Sequence, residues 1–155
     1  NLARAVKDGR DLEARGHMLA ASQMGSTAFQ KGLGAIHSLS HPIGAVLDTH
    51  HGLTNAVAMP YVVQFNRPAI EDKIVRLSRW LGLRTPTFDG FMQWVLDLRR
   101  EVGIPHTLAE IGVKTEHVDK FAEMAAVDPT AGGNPVKAGV PEMRKMYEAA
   151  VAGRL

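Results

Sequence analysis

The chain has 155 residues, a length that suits one domain of ordinary size with a buried core. Eighteen basic and sixteen acidic residues leave a net charge of +2, and no run of like charges predicts a nucleic-acid surface. The absence of cysteine excludes disulfides, thiolate metal sites and cysteine nucleophiles, so any metal would need imidazole or carboxylate ligands.

The first clear element is a helix that Asp11 is expected to cap and that runs to about Phe29. Small residues on this helix predict that neighbouring helices approach it closely: Ala20, Ala21, Ser22, Gly25, Ser26 and Ala28. A second helix is predicted to begin near Gly34 and to carry both His37 and His41.

The middle of the chain predicts a loop around Asp48–His50 and a helix that starts near His51. Pro60 is expected to kink or end that helix, and Tyr61–Val63 is expected to be helical or irregular because no partner strand is evident. Pro68 predicts the start of a further helix. The apolar positions that this helix is expected to bury are Ile70, Ile74, Leu77 and Leu81.

The second half of the chain predicts three more helices with apolar residues at helical spacing. The first contains Phe91 and ends at Gly103, the second is opened by Thr115, and the third has Pro141 in its first turn. The expected fold is therefore all-α, with short connections that favour an antiparallel helical bundle.

Histidine is concentrated in the first third of the chain, where five of the seven histidines lie between positions 17 and 51. His37 and His41 are four residues apart and share one helical face. Both imidazoles could bind one ion, or one could bind the ion while the other reaches a substrate. Such a pair alone is more often structural than metal-bound. Pro42 disfavours helical geometry at His41, so we expect a local distortion.

Two neighbouring segments together resemble a known signature. Gly32–Gly44 (GLGAIHSLSHPIG) followed by His51–Pro60 (HGLTNAVAMP) resembles the metal-binding region of iron-containing alcohol dehydrogenases. Ala14–Ser22, a Gly-Ile-Pro step at Gly103–Pro105 and an Asn-Pro step at 134–135 also resemble that family. The resemblance covers nearly the whole chain and implies the all-helical C-terminal domain of the dehydroquinate synthase-like fold.

The resemblance assigns a role to three of the histidines. His37 and His51 match the two metal ligands that this domain contributes, and His41 matches the histidine near the nicotinamide cofactor and the substrate. His41 is therefore the expected catalytic and cofactor-binding residue. His50 departs from the family pattern and is expected to be an exposed loop residue, whereas His51 precedes the matching glycine.

The remaining parts of such an enzyme are expected before Asn1. They comprise an Asp ligand, usually another His ligand, and an N-terminal dinucleotide-binding domain, so residues 1–155 would form a single metal-binding domain. Because the chain starts with Asn1, not Met, we expect a cut into a longer polypeptide, with an exposed apolar patch where its partner domain packs. Glu13 and His17 form an alternative ligand pair, although the family places its pair further upstream.

The implied function is metal-dependent, NAD- or NADP-linked oxidation of an alcohol or reduction of an aldehyde or ketone, with Fe²⁺ or Zn²⁺ as the metal. We expect a cytoplasmic homo-oligomer that binds a small-molecule substrate and neither nucleic acid nor membrane. Two alternatives remain. The chain could belong to a glycerol dehydrogenase, a maleylacetate reductase or a dehydroquinate synthase of the same fold, or it could be a non-enzymatic helical interaction module.

Overall fold

The computed structural model describes all 155 residues, and its regular elements are all helices. The seven α-helices are α1 (Leu2–Lys7), α2 (Leu12–Ala28), α3 (Ala35–Leu47), α4 (His51–Trp80), α5 (Phe88–Glu101), α6 (Val118–Ala126) and α7 (Val140–Ala152). Four single 3₁₀ turns lie at Phe29–Lys31, Ala109–Ile111, Thr115–His117 and Ala131–Gly133. The all-α prediction is confirmed. None of the helices combines the length and the hydropathy that crossing a membrane requires.

The main core surrounds α3, which packs against α4, α6 and α7. Leu39 on α3, Phe121 on α6 and Tyr147 on α7 are all completely buried. The Tyr147 hydroxyl donates a 2.6 Å hydrogen bond to the Leu39 carbonyl oxygen, and burial raises the pKa of this phenol. The helix that carries His37 and His41 is therefore fixed on its inner side by both apolar packing and a buried hydrogen bond.

Helix α4 is longer than the sequence predicted. Pro60 was expected to kink or end this helix, and it does not end it, because α4 continues through both prolines from His51 to Trp80. The prediction of a separate helix from Pro68 is wrong for the same reason. Each proline lacks the backbone N–H that would donate one hydrogen bond in the helix. The residues directly after Pro60 are packed into the core, and this packing outweighs the lost hydrogen bond. The expectation that Tyr61–Val63 is not a strand is confirmed.

The second half of α4 packs on α5 through a smaller core made of Phe88, Phe91, Met92 and Val95. Ile70 and Ile74 contact this core, as expected. The prediction that Leu77 and Leu81 are core residues is wrong, since both are exposed at the end of α4, where Trp80 is 83% exposed. Ser78 is the one buried residue in this last part of α4, so the apolar residues beside it are not covered by the rest of the chain.

The N-terminal helices α1 and α2 form an arm that contacts the rest of the chain sparingly. The expected cap is confirmed, because the Asp11 carboxylate accepts a 3.0 Å hydrogen bond from the Ala14 amide. However, Ala14 is the only buried residue of α2, and Leu12 is 80% exposed. The small residues from Ala20 to Ala28 are also exposed, so the predicted close approach of other helices does not occur within this chain.

Candidate functional site

Three of the seven histidines meet where α3 and α4 come together. The ring centroids are 5.2 Å apart for His37 and His51, 5.5 Å for His41 and His51, and 5.8 Å for His37 and His41. The sequence pattern predicted that these three side chains belong to one site, and the structure brings them together. His17, in contrast, is exposed on α2, and its side chain makes no hydrogen bond.

A tight turn between α3 and α4 creates this meeting point. Asp48 ends α3 in the left-handed region at φ 52° and ψ 37°, and α4 begins three residues later. His50 caps α4, because its Nδ1 accepts a 3.2 Å hydrogen bond from the Leu53 amide. His50 is exposed as expected, but its capping role was not predicted, because histidine is not among the preferred N-cap residues.

Asn55 lies between two of the imidazoles and was not predicted from the sequence. Its side-chain nitrogen donates to His51 Nε2 at 3.0 Å and lies 3.4 Å from His37 Nε2. The Nε2 atoms of both rings therefore face one point. The signal in the sequence was the four-residue spacing from His51 to Asn55, which places both side chains on one face of α4. The Asn55 Oδ1 atom is buried without a hydrogen-bond partner.

The two imidazole nitrogens that converge here meet some of the requirements of a divalent metal site. Burial, followed by the nearby imidazoles of His51 and His41, lowers the pKa of His37 and favours the neutral ring that binds metals. Imidazole is a good ligand for both Fe²⁺ and Zn²⁺. However, no group of three or more His, Asp or Glu side chains in the chain has the arrangement of a metal site. Catalytic metals usually have at least three protein ligands, so these two imidazoles fit a partial ligand set.

His41 has a different environment from the other two rings. Its Nδ1 atom lies 2.8 Å from the Oδ2 atom of Asp128, in the turn that follows α6. Burial alone would raise the pKa of Asp128, but hydrogen bonds from Thr130 and His41 outweigh this effect and leave the pKa below its usual value. Asp128 was missed in the sequence because it lies 87 residues from His41 and no local pattern links them.

The start of α3 is fixed by Asn134, which the sequence singled out only through its Asn-Pro step. The Asn134 side chain accepts from the Ala35 amide at 3.1 Å and exchanges two hydrogen bonds, of 2.9 and 2.7 Å, with the Asn66 amide group. It also donates to the Val136 carbonyl oxygen at 2.7 Å. Gly133 is required beside it, because a Cβ atom there would lie 2.0 Å from a backbone oxygen.

An open groove of about 510 Å³ lies beside the histidines, between α2, α3 and α4. His37 forms one wall, and Phe29 packs edge-on against its ring at a centroid distance of 5.5 Å. The alternative ligand pair on α2 does not reach this groove. The Glu13 carboxylate instead accepts a 2.8 Å hydrogen bond from Arg4, which lowers the pKa of Glu13.

Residues 1–151 match the family model described as "Fe-containing alcohol dehydrogenase family, C-terminal". The chain belongs to this family. It is 40% identical to the 4-hydroxybutyrate dehydrogenase of Cupriavidus necator over 96% of its length, and 33% identical to the 1,3-propanediol dehydrogenase of Citrobacter freundii over 97%. The resemblance inferred from the histidine segments is therefore confirmed.

Solved structures of the family share the fold. A 1,3-propanediol oxidoreductase superposes with a TM-score of 0.92 and 31% identity over 97% of the chain. The alcohol dehydrogenase from Oenococcus oeni superposes with a TM-score of 0.89 and 32% identity over 96%. The chain spans about two fifths of these proteins, 41% and 40% respectively, and 41% of the two enzymes compared above.

Proposed function

We propose that the chain is the metal-side and substrate-side domain of an NAD- or NADP-linked alcohol dehydrogenase. This enzyme would interconvert an alcohol and an aldehyde or ketone by hydride transfer. The observation that carries the proposal is the convergence of His37 Nε2 and His51 Nε2 on one point beside Asn55, with His41 in contact. The family to which the chain belongs supports the reaction class.

His37 and His51 would hold the Fe²⁺ or Zn²⁺ ion through their Nε2 atoms. The bound ion would act as a Lewis acid that stabilises negative charge on the substrate oxygen. Asn55 makes hydrogen bonds to the same nitrogens in this structure, so its amide must release them when an ion is bound. The lowered pKa of His37 keeps that ring neutral near pH 7, which reduces the competition between protons and metal.

His41 is the proposed catalytic residue and the residue that borders the nicotinamide. Its ring stacks on that of His51 at a centroid distance of 5.5 Å, next to the proposed metal position. In this proposal His41 is not itself a ligand, as the family resemblance implies. Since Nδ1 is occupied by Asp128, Nε2 is the atom that can exchange a proton with the substrate hydroxyl.

The other ligands and the nucleotide-binding domain would be supplied by the additional length that the relatives possess. One of these relatives is named an NAD-dependent methanol dehydrogenase, and this chain covers 41% of it. The exposed apolar side chains of the α1–α2 arm support this division, since the additional part could cover them. The largest of these exposed residues are Leu12, Leu19 and Met24, and Phe29 in the turn directly after α2 is also exposed. We also propose that the whole enzyme forms a homo-oligomer.

The proposed substrate is a small alcohol or its aldehyde. Relatives at 32–40% identity are named for 4-hydroxybutyrate, 1,3-propanediol and lactaldehyde, which are all small hydroxy compounds or aldehydes. The likeness to the maleylacetate reductase of Rhizobium sp. strain MTP-10005 is weaker, with a TM-score of 0.62 over 79% of the chain. No observation therefore favours that alternative over an alcohol dehydrogenase.

The test is an activity assay on the full-length polypeptide, loaded with Fe²⁺ or Zn²⁺ and supplied with NAD⁺ or NADP⁺ and a panel of small alcohols. We expect His37→Ala and His51→Ala each to lower kcat/KM by at least about 100-fold, since even residues that support metal ligands contribute 10–100-fold. His17→Ala is the matched control and should retain activity. Equal activity in all four proteins would contradict the proposal.

A further inference from the structure

Asp128 links His41 to a short chain of hydrogen bonds that continues through Thr130 to Ser38. One carboxylate oxygen, Oδ2, faces His41 Nδ1 at 2.8 Å, and the other, Oδ1, accepts from both the backbone amide and the hydroxyl of Thr130. The Thr130 hydroxyl lies 3.0 Å from the Ser38 hydroxyl on α3. The Asp128 side chain is 12% exposed, whereas that of His41 is 40% exposed.

The direction of the hydrogen bond between His41 and Asp128 follows from the chemistry of the carboxylate. An ionised carboxylate has only acceptor atoms, so the hydrogen must be on His41 Nδ1. A neutral imidazole carries one hydrogen, so Nε2 then has a free lone pair. The hydrogen bonds from Thr130 occupy Oδ1 and orient Oδ2 toward the ring.

We propose that Asp128 is a positioning residue that keeps His41 in the Nδ1–H tautomer, with Nε2 unprotonated and turned toward the reacting hydroxyl. Thr130 and Ser38 hold Asp128 in place. The tautomer itself is a property of this chain, whereas its use in catalysis rests on the proposed function. In alcohol oxidation, His41 Nε2 would accept the hydroxyl proton, and the nicotinamide cofactor would supply the acceptor for the hydride that leaves the carbon. The resulting imidazolium would lie beside the Asp128 carboxylate and would later release its proton to water.

The Asp128→Asn substitution separates this role from a purely structural one. The side-chain oxygen of Asn can still accept from Thr130, so the turn after α6 keeps its hydrogen bonds. The amide nitrogen then faces His41 Nδ1 and donates to it, which favours the opposite tautomer. An Asp→Asn change of this kind in the serine-protease triad preserves the geometry and produces the wrong tautomer. If the Asn amide rotated by 180°, its NH₂ group would face the Thr130 backbone N–H, and two donors cannot bond to each other. The amide is therefore expected to keep its nitrogen toward His41.

The first experiment measures the tautomer directly in the 155-residue chain labelled with ¹⁵N-histidine, at a pH where the ring is neutral. We expect the ring shifts of His41 to show protonated Nδ1 and free Nε2 in the parent chain, and the reverse in Asp128→Asn. Asp72→Asn is the matched control, because Asp72 is exposed and makes no ion pair. Circular dichroism checks that every variant keeps its helices.

The second experiment measures kcat and KM in the full-length enzyme. We expect Asp128→Asn to lower kcat by about 10²–10⁴-fold, the usual contribution of a general acid–base group, with KM for the alcohol nearly unchanged. The positioning role would be overturned if His41 of the parent chain carried its hydrogen on Nε2. It would also be overturned if His41 had the same tautomer in the parent chain and in Asp128→Asn. An unchanged kcat would overturn its catalytic use. If the tautomer reverses as expected but the parent enzyme oxidises no alcohol, the positioning role is supported and the proposed function fails.

Discussion

The side chain of Asn134 connects three parts of the fold, and its loss gives a sharp test of how the site is supported. Its amide group bonds the first turn of α3, the buried Asn66 of α4 and the loop before α7. Asn134→Ala removes all four hydrogen bonds at once. Asn66 is only 6% exposed, and both its side-chain nitrogen and its side-chain oxygen lose their hydrogen bonds to Asn134.

The expected cost can be added from these contacts. Loss of the cap on α3 costs about 1 kcal/mol. Each unpaired end of the buried Asn66 amide costs about 1–3 kcal/mol, although water entering the small space left by the substitution would lower this. We therefore expect a loss of about 3–5 kcal/mol in the free energy of unfolding, which corresponds to a fall in Tm of roughly 10 °C for a domain of this size.

Urea denaturation followed by circular dichroism measures this loss. Asn66→Ala should show a similar cost, and the double variant should cost about 1–3 kcal/mol less than the sum of the two, because both substitutions remove the same pair. Gln23→Ala on the exposed face of α2 should change stability by less than about 0.5 kcal/mol. The reasoning is refuted if Asn134→Ala costs under about 1 kcal/mol, or if the two substitutions are additive.

Three other predictions concern the support of the site. Gly133→Ala should lower the free energy of unfolding, measured by urea denaturation, by about 1–3 kcal/mol, because its Cβ atom cannot fit. Gly132→Ala has open space and should be neutral, and equal effects of the two substitutions would contradict this. Tyr147→Phe should cost about 0.5–1.5 kcal/mol in urea denaturation through the lost hydrogen bond to α3, and no loss would contradict it. Folding lowers the pKa of Asp128, so its ionised carboxylate stabilises the folded chain. This stabilisation is complete above the unfolded pKa of about 3.9 and is lost as the pH falls through the lower pKa of the folded chain. The Tm difference between the parent chain and Asp128→Asn should therefore shrink below about pH 4, and a constant difference would contradict this.

Local signals predicted most of the helices correctly. Asp11 capped α2 as expected, and the apolar spacing in the second half of the chain marked α5, α6 and α7. The prediction failed where a local rule opposed tertiary packing, since prolines at 60 and 68 did not interrupt α4. It also failed where burial depends on which elements cover a helix, as at Leu77 on α4 and along the whole of α2.

The candidate site was predictable only in part, for a related reason. The spacing of His37, His41 and His51 placed three rings in one cluster, because each contact is local or crosses a single turn. The residues that support them come from distant segments. Asp128 and Asn134 reach α3 from the turns between α6 and α7, and no pattern within a single segment indicates that contact.

The central claim is that His37 and His51, and not His41, bind the metal. The most direct measurement is a Zn²⁺ titration of the ¹⁵N-histidine-labelled chain at millimolar concentration, which detects weak binding by a partial ligand set and follows each ring separately. We predict that the Nε2 signals of His37 and His51 shift together at one equivalent, and that the shifts disappear in His37→Ala and in His51→Ala but persist in His41→Ala. Shifts centred on other histidines, identical titrations of all the variants, or no shift in the parent chain would contradict the claim.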